Sequence, residues 1–301
     1  MADAFSSPGI DLPSPTLSAR LRELATFLTA PAVGRLTEEQ RALSLGIARR
    51  LVADVAAELG GEIDAAMLWR DWLRGGVPGA DRLTAACFAR AEEHRWRELS
   101  AHRAGSPVPS AEATGDVDAP APDPDPPSDV DRAYLALQIA DRRRFDSYGN
   151  PCLALSDVDA ELLRGLVLDI SAWRLAQPDN ESALAADLGE AVRFVIERHE
   201  VKRGIDRAAK VYYDQLVQQG NLVDAASTAI SRHDWVALIA LAAAASRRPY
   251  ADTALLLLSA EAAALPQVLA PLRLDRAAIG PLEASLTLLP ARAVAGGDGD
   301  E

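Results

Sequence analysis

The sequence predicts an all-α protein, in which an N-terminal helical bundle and a C-terminal array of stacked helical hairpins, solenoid-like in form, are joined by a linker. Three observations lead to this fold class. Alanine and leucine dominate the apolar residues, and both lose little side-chain entropy in a helix. Apolar residues recur at three- and four-residue spacing, and one stretch rich in proline and aspartate interrupts this pattern. Strands are therefore expected to contribute little.

The predicted domain limits follow changes in composition. Residues 1–13, which are rich in Ser, Pro and Asp, and residues 291–301 are expected to be disordered. Residues 14–104 are expected to form the helical bundle and residues 129–290 the hairpin repeats. Between them, residues 105–128 include the run APAPDPDPPSD, which cannot bury apolar area and whose prolines lack amide donors. This segment is expected to be a disordered acidic linker.

The N-terminal part contains signals for four helices. The clearest helix follows Thr37, which precedes Gln40 by three residues as in a capping box. Its apolar positions repeat at four-residue steps and end before a Gly doublet: Leu43, Ile47, Leu51, Val55 and Leu59. The other three helices are predicted to begin near Ser14, Glu62 and Asp81.

The C-terminal part is predicted to contain longer helices first and shorter ones later. Asp129 and Ser156 are the expected caps of the first two helices, and Asn180 and Lys202 are the expected starts of the next two. From Leu222 onward, short Ala/Leu helices alternate with Gly, Pro or polar turns. Such helices pair as antiparallel hairpins, and successive hairpins stack.

Charge and composition limit the class of protein. A net charge of −13 argues against a general nucleic-acid or anionic-membrane surface. The two cysteines, Cys87 and Cys152, lie far apart and in no spacing typical of a disulfide scaffold or a zinc site. The N-terminus lacks the features of a signal peptide, and the most apolar run, residues 235–245, is far shorter than the ~20 residues that span a bilayer. We therefore expect a cytoplasmic protein with no membrane insertion.

No recognisable catalytic or cofactor motif is present. The sequence has no glycine-rich phosphate loop and no GxSxG nucleophile motif. His199 and His233 each stand beside a carboxylate, but they do not form the i, i+4 pair that a metal site on a helix needs. We expect no cofactor, no metal and no enzymatic activity.

Two stretches resemble a known family. They are ADRRRFDSYGNPCLALSDVDAELLRGLVLDISAWRLA and VYYDQLVQQGNLVDAASTAISRHDWVALIALAAAASRRPY. Together they are similar to an uncharacterised α-helical repeat family of alphaproteobacteria, the domain of unknown function 2336, most clearly over residues 133–290. The Asp/Arg-rich helix end, the turn at Gly149, Asn150 and Pro151, and a small-residue helix after a Gly-containing turn carry the likeness. The resemblance implies a helical-repeat fold, and it transfers no site, because the family has no established catalytic residue.

A basic cluster at a predicted helix end is the candidate site for a ligand or partner. It combines Arg142, Arg143 and Arg144 with Tyr148 and Asn150. Guanidinium groups hold phosphate or carboxylate bidentately, and a neighbouring aromatic ring can stack on a base or on an arginine. In the alternative interpretation, the arginines satisfy the last helical carbonyls while the tyrosine packs under the turn.

Trp69 and Trp72 form a candidate interface, because tryptophan contributes strongly to binding when it lies at the centre of an exposed surface. The alternative places both residues in the core of the bundle. A helix array without a catalytic constellation indicates a non-enzymatic scaffold or regulator whose partner is another protein and not a nucleic acid. The alternative function is a sensor that binds a phosphorylated small molecule, such as a signalling nucleotide, through the arginine cluster.

Overall fold

The computed structural model describes residues 20–22, 24–25, 36–60, 62–104, 126–178, 182–199 and 204–290. The all-α prediction is confirmed: these ranges contain helices and no strand, apart from one isolated bridge between Phe145 and Pro151. The α-helices are α1 (Glu38–Leu59), α2 (Ala65–Gly75), α3 (Ala80–Ala104), α4 (Asp129–Arg142), α5 (Ala160–Leu175), α6 (Ser182–Arg198), α7 (Ile205–Gln219), α8 (Leu222–Ser231), α9 (Trp235–Ser246), α10 (Tyr250–Ser259), α11 (Leu265–Val268) and α12 (Arg276–Leu286). Short 3-10 turns occupy Leu155–Asp157 and Ala270–Leu272.

The start of α1 agrees with the prediction from the sequence. Thr37 Oγ1 accepts a hydrogen bond from the Gln40 amide at 3.2 Å, and Gln40 Oε1 accepts one from the Thr37 amide at 3.1 Å. These reciprocal bonds form the expected capping box. Gly60, with φ of 65°, ends the helix.

Three other helix starts differ from the predictions. Ser128, and not Asp129, caps α4, because its hydroxyl is placed to accept from the Asp131 amide at 3.1 Å. Asp159, and not Ser156, caps α5 through bonds from two amides of its first turn. The second helix begins at Ala65, three residues after Glu62, because the carboxylate of Asp64 caps it.

Several predictions fall on parts of the chain outside the described residues. These are the disordered segments 1–13 and 291–301, residues 105–125 of the linker, and the helix starts at Asn180 and Lys202. The helix predicted from Ser14 is described only at residues 20–22 and 24–25, which are helical.

The two larger apolar cores of the described chain lie against different parts of α3. In the first core, Leu83 and Cys87 of α3 pack with α1, α2, α5 and α6. In the second, Trp96 of α3 packs with α4, α7, α8, α9, α10 and α12, and its Nε1 donates to Ser285 Oγ at 2.8 Å. Helices from both sides of the predicted linker therefore contribute to both cores. The domain limits themselves stay a prediction.

Helix α9 is central to the second core. Its residues from Trp235 to Ala243 are all buried, so it is apolar on every side. It contacts α7, α8 and α10. Because its last turns consist of alanine, the neighbouring helices can approach it closely.

Candidate functional site

The loop between α4 and α5 has a fixed backbone. Asp146 Oδ1 accepts hydrogen bonds from the amides of Tyr148 at 2.9 Å and Asn150 at 2.8 Å, and Asp146 Oδ2 accepts one from Asn150 Nδ2 at 2.9 Å. These bonds, the Asn150 side chain first among them, lower the pKa of Asp146. Gly149 supplies the positive φ of 84° that the turn requires. The result is a closed turn with Tyr148 at its tip.

Arginines from two helices hold this turn from below. Arg50 of α1 donates through Nε and Nη2 to the Pro151 carbonyl at 3.0 and 2.6 Å. Arg90 of α3 donates to the carbonyls of Cys152 at 3.3 Å and Arg144 at 2.9 Å. Both ends of the loop are thus bonded to the helices beneath it.

A buried charge cluster lies under the loop and is centred on Glu93 of α3. Arg144 Nη2 and Nη1 donate to the two carboxylate oxygens of Glu93 at 2.6 and 3.0 Å, and the Tyr250 hydroxyl donates at 3.1 Å. Burial by itself would raise the pKa of Glu93, but the charges of Arg144, Arg90 and Arg97 outweigh it and lower this pKa to about 2. Arg97 also forms a two-bond pair with Asp141 at 2.8 and 2.7 Å. Glu93 is therefore ionised at neutral pH and fastens α3 to the loop and to α10.

The structure separates the predicted arginine cluster. Arg144 is 2% exposed and is bound to Glu93, so it is not accessible to a ligand, and its inclusion in the predicted site is corrected. Arg142 and Arg143 are exposed, and their side chains have no ion-pair partner within the described ranges. Asn150 uses its amide to close the loop. Tyr148 is 90% exposed and does not pack under the turn.

The predicted tryptophan interface is also corrected. Trp69 is 7% exposed and Trp72 is 6% exposed, and both belong to the first core. Helix α2 lies against α1, and its most apolar face, which carries both indole rings, is covered. Both residues lie in the core, as the alternative interpretation predicts.

A cavity of about 530 Å³ lies beside the charge cluster. Nothing in the sequence predicts it. It is bounded by α3, residues 153–160, and the first turns of α7 and α10. Its apolar walls are formed by small and branched side chains, among them Ala85, Ala86, Ala89, Leu153, Leu162 and Leu255. Because these residues come from separate stretches of sequence, no local motif could have indicated the cavity.

Four carboxylates line the same cavity, and three of them cap helices. Asp157 Oδ1 accepts from the Ile205 amide at 2.8 Å and caps α7. Asp206 Oδ1 accepts from the Tyr250 amide at 2.6 Å and caps α10. Asp159 caps α5, and Asp252 lies in the first turn of α10. The lining of the cavity therefore combines apolar side chains with these four carboxylates and with Arg82.

Among the described side chains, no group of three or more His, Cys, Asp or Glu residues is arranged to hold a metal ion. None of the helices in the described ranges has both the length and the apolar character that crossing a bilayer requires. No protein-family model, curated protein or solved structure matches this chain.

Proposed function

We propose that this chain is a non-enzymatic, cytoplasmic scaffold or regulator that binds another protein through the exposed side chains of Arg142, Arg143 and Tyr148, named here the loop surface. The observation that supports it most directly is the 90% exposure of Tyr148 on a loop with a fixed backbone. Burying a tyrosine ring on binding gains apolar area, whereas leaving it exposed contributes nothing to folding.

The rigidity of the loop favours binding. A side chain that is already positioned loses less conformational entropy when a partner contacts it. Hydrogen bonds that Asp146 accepts and that Arg50 and Arg90 donate fix the backbone on which Tyr148 is carried. Tyrosine and arginine are also the residue types that most often dominate protein interfaces.

The charge of the loop surface suggests the chemistry of the partner. Arg142 and Arg143 have no carboxylate partner in the described part of the chain, although the protein as a whole has a net charge of −13. A complementary partner would offer a pocket for the Tyr148 ring and carboxylates for the two guanidinium groups.

The proposal includes two further features. Residues 129–290 form stacked hairpins, and the chain is a member of the family that it resembles. Contacts between successive helices, such as α8 with α9 and α9 with α10, support hairpins. Helical-repeat proteins use extended surfaces to bind partners, and this property agrees with a scaffold.

A pull-down from the native host followed by mass spectrometry tests the proposal. The unmodified chain is compared with Tyr148→Ala and with the double variant Arg142→Gln/Arg143→Gln. The matched control is Arg247→Gln/Arg248→Gln, which changes two exposed arginines at the end of another helix. We expect a partner that the two loop-surface variants lose and the control retains. A partner retained by all variants would place binding elsewhere and contradict the proposal.

The alternative function as a nucleotide sensor now depends on Arg142, Arg143 and Tyr148, because Arg144 is bound to Glu93. Two exposed guanidinium groups without an ion-pair partner among the described residues, and an exposed aromatic ring a few residues along the chain, support it. Calorimetric titration with nucleotides tests it, and an absence of heat with any nucleotide would exclude it.

A further inference from the structure

A second cavity, of about 680 Å³, is bounded by α7, the last turn of α9 and residues 247–249. Alanines from both helices contribute apolar side chains to its walls: Ala209, Ala243, Ala244 and Ala245. Among the described residues around it, three cationic side chains and two carboxylates also line it: Lys210, Arg247, Arg248, Asp206 and Asp214. The lining therefore carries more positive than negative charge, on a chain whose net charge is −13.

The two carboxylates of this cavity are bonded within the chain, whereas the two arginines are not. Asp214 accepts hydrogen bonds from Lys210 Nζ at 2.9 and 3.3 Å. Asp206 Oδ1 accepts one from the first amide of α10 at 2.6 Å. Arg247 and Arg248 are exposed, and neither guanidinium group has a hydrogen-bond or ion-pair partner in the described part of the chain. Two positive charges at the cavity are therefore left for a ligand.

The end of α9 does not require these two guanidinium groups. The backbone amides of Arg247 and Arg248 donate to the carbonyls of Ala244 at 3.3 Å and Ala243 at 3.0 Å, so the main chain itself satisfies these carbonyls. Arg247 has φ of 54° and ψ of 40°, a left-handed conformation that glycine adopts at lower cost at a helix end. An arginine side chain is therefore not what the backbone selects at this position.

We propose that this cavity binds a small organic anion, whose carboxylate or phosphate group is held by Arg247 and Arg248 and whose aliphatic part lies against the alanines of α9. Guanidinium groups bind both kinds of anionic group bidentately. The volume of about 680 Å³ is in the range typical of small-molecule sites, which combine apolar walls with a few polar groups. This site shares no residue with the loop surface, and it goes beyond the proposed function.

Four probes with aliphatic bodies of similar size separate the charge requirement from simple apolar binding: glutarate, propyl phosphate, pentanediol and diaminopentane. Titration is followed by calorimetry and by the amide resonances of Ala244, Arg247 and Arg248, which line the cavity. We expect glutarate, propyl phosphate or both to bind with a Kd of about 1 mM or less and to shift these resonances. Binding of one anion and not the other would support the proposal and identify the acidic group of the ligand.

The uncharged and cationic probes are the controls for this titration. Pentanediol and diaminopentane should bind at least about tenfold more weakly than the preferred anion. Equal binding of either control, or no binding of either anion up to about 10 mM, would overturn the proposal. The double variant Arg142→Gln/Arg143→Gln should bind the anion as the unmodified chain does. Loss of binding in that variant would place the anion at the loop surface and refute a site in the cavity.

Arg247→Gly locates the binding without endangering the fold, because glycine favours the left-handed backbone at this position. We expect it to weaken anion binding about fivefold or more, as loss of one partly exposed charge pair should, and to leave the melting temperature unchanged or higher.

The matched control is Arg273→Gly. Arg273 is also exposed and has nearly the same backbone conformation, with φ of 55° and ψ of 35°, but it does not line the cavity. This control should leave anion binding unchanged. Equal weakening by both variants would indicate a general effect of net charge and would refute the site. A lower melting temperature of Arg247→Gly with unchanged binding would assign the arginine a structural role and overturn the proposal.

Discussion

Glu93 is the residue at the centre of the buried charge cluster under the loop. Its carboxylate accepts from Arg144 and Tyr250, and Arg90 and Arg97 lie close to it. Replacing it by glutamine would remove the negative charge that lies beside the buried or half-buried guanidinium groups of Arg90, Arg97 and Arg144. We expect Glu93→Gln to lower the free energy of unfolding by about 3–5 kcal/mol, measured by urea denaturation. The control Glu98→Gln, on the exposed side of the same helix, should cost about 1 kcal/mol or less; a similar cost for both variants would contradict the assignment.

The same carboxylate should make stability depend on pH in acid. The pKa of Glu93 is about 2 in the folded chain, against 4.5 for a free glutamate. A group whose pKa is lower in the folded state stabilises it above the unfolded pKa, and this contribution is lost as the pH falls through the folded pKa. The difference in unfolding free energy between the unmodified chain and Glu93→Gln should therefore be constant above pH 4.5 and shrink between pH 4.5 and about 2. A difference that does not change over this window would show that Glu93 is not ionised in the cluster.

Among the candidate residues, the sequence predicts exposure only where exposure is a local property of the turn. The turn with Gly149 and Asn150 marks an exposed loop, and Tyr148 lies at its tip as a consequence. Arg144 looks equivalent to Arg142 and Arg143 in sequence. Its burial depends on Glu93, which is 51 residues away and belongs to another helix. Sequence spacing contains no information about such a partner.

At the level of helices, Gly204 marks a close approach between the start of α7 and the 3-10 turn at Leu155–Asp157. A Cβ at this position would lie 2.5 Å from Asp157 Oδ1 and from the Ser156 carbonyl oxygen. Gly204→Ala should therefore push Asp157 away from the amide that it caps and lower the free energy of unfolding by about 1–3 kcal/mol. Gly189→Ala is the matched control, since it lies within α6 with nothing within 4 Å, and should stabilise the protein by about 0.5–1 kcal/mol. Thermal or urea unfolding distinguishes the two, and a stabilising Gly204→Ala would contradict the close approach.

Local and distant caps explain which helix starts could be predicted. The cap of α1 is Thr37, adjacent to the helix, and its spacing to Gln40 is visible in the sequence. The first amides of α7 and α10 are bonded to Asp157 and Asp206, which are 48 and 44 residues away. The existence of these helices follows from apolar periodicity, but their exact starts depend on the tertiary fold.

For the whole molecule, α3 connects parts of the chain that the sequence assigns to separate units. The Pro/Asp-rich stretch after α3 predicted two units, because composition reveals a linker and not the contacts of the helices that flank it. In the structure α3 contacts both α1 and α10, and its buried side chains enter both cores. The charge cluster adds hydrogen bonds that Arg144 and Tyr250, on the other side of that stretch, donate to Glu93.

This arrangement leads to a prediction about cooperativity. Leu241 is fully buried in α9, and Leu241→Ala should lower the free energy of unfolding by about 2–5 kcal/mol through the cavity that it leaves. Because α3 is shared, we expect hydrogen exchange in this variant to show reduced protection in α1 as well as in α9. The control Leu135→Ala, at a position 59% exposed on α4, should change neither. If α1 keeps its full protection while α9 loses its own, the second core unfolds independently, the two-unit organisation predicted from the sequence holds, and the shared helix does not couple the cores.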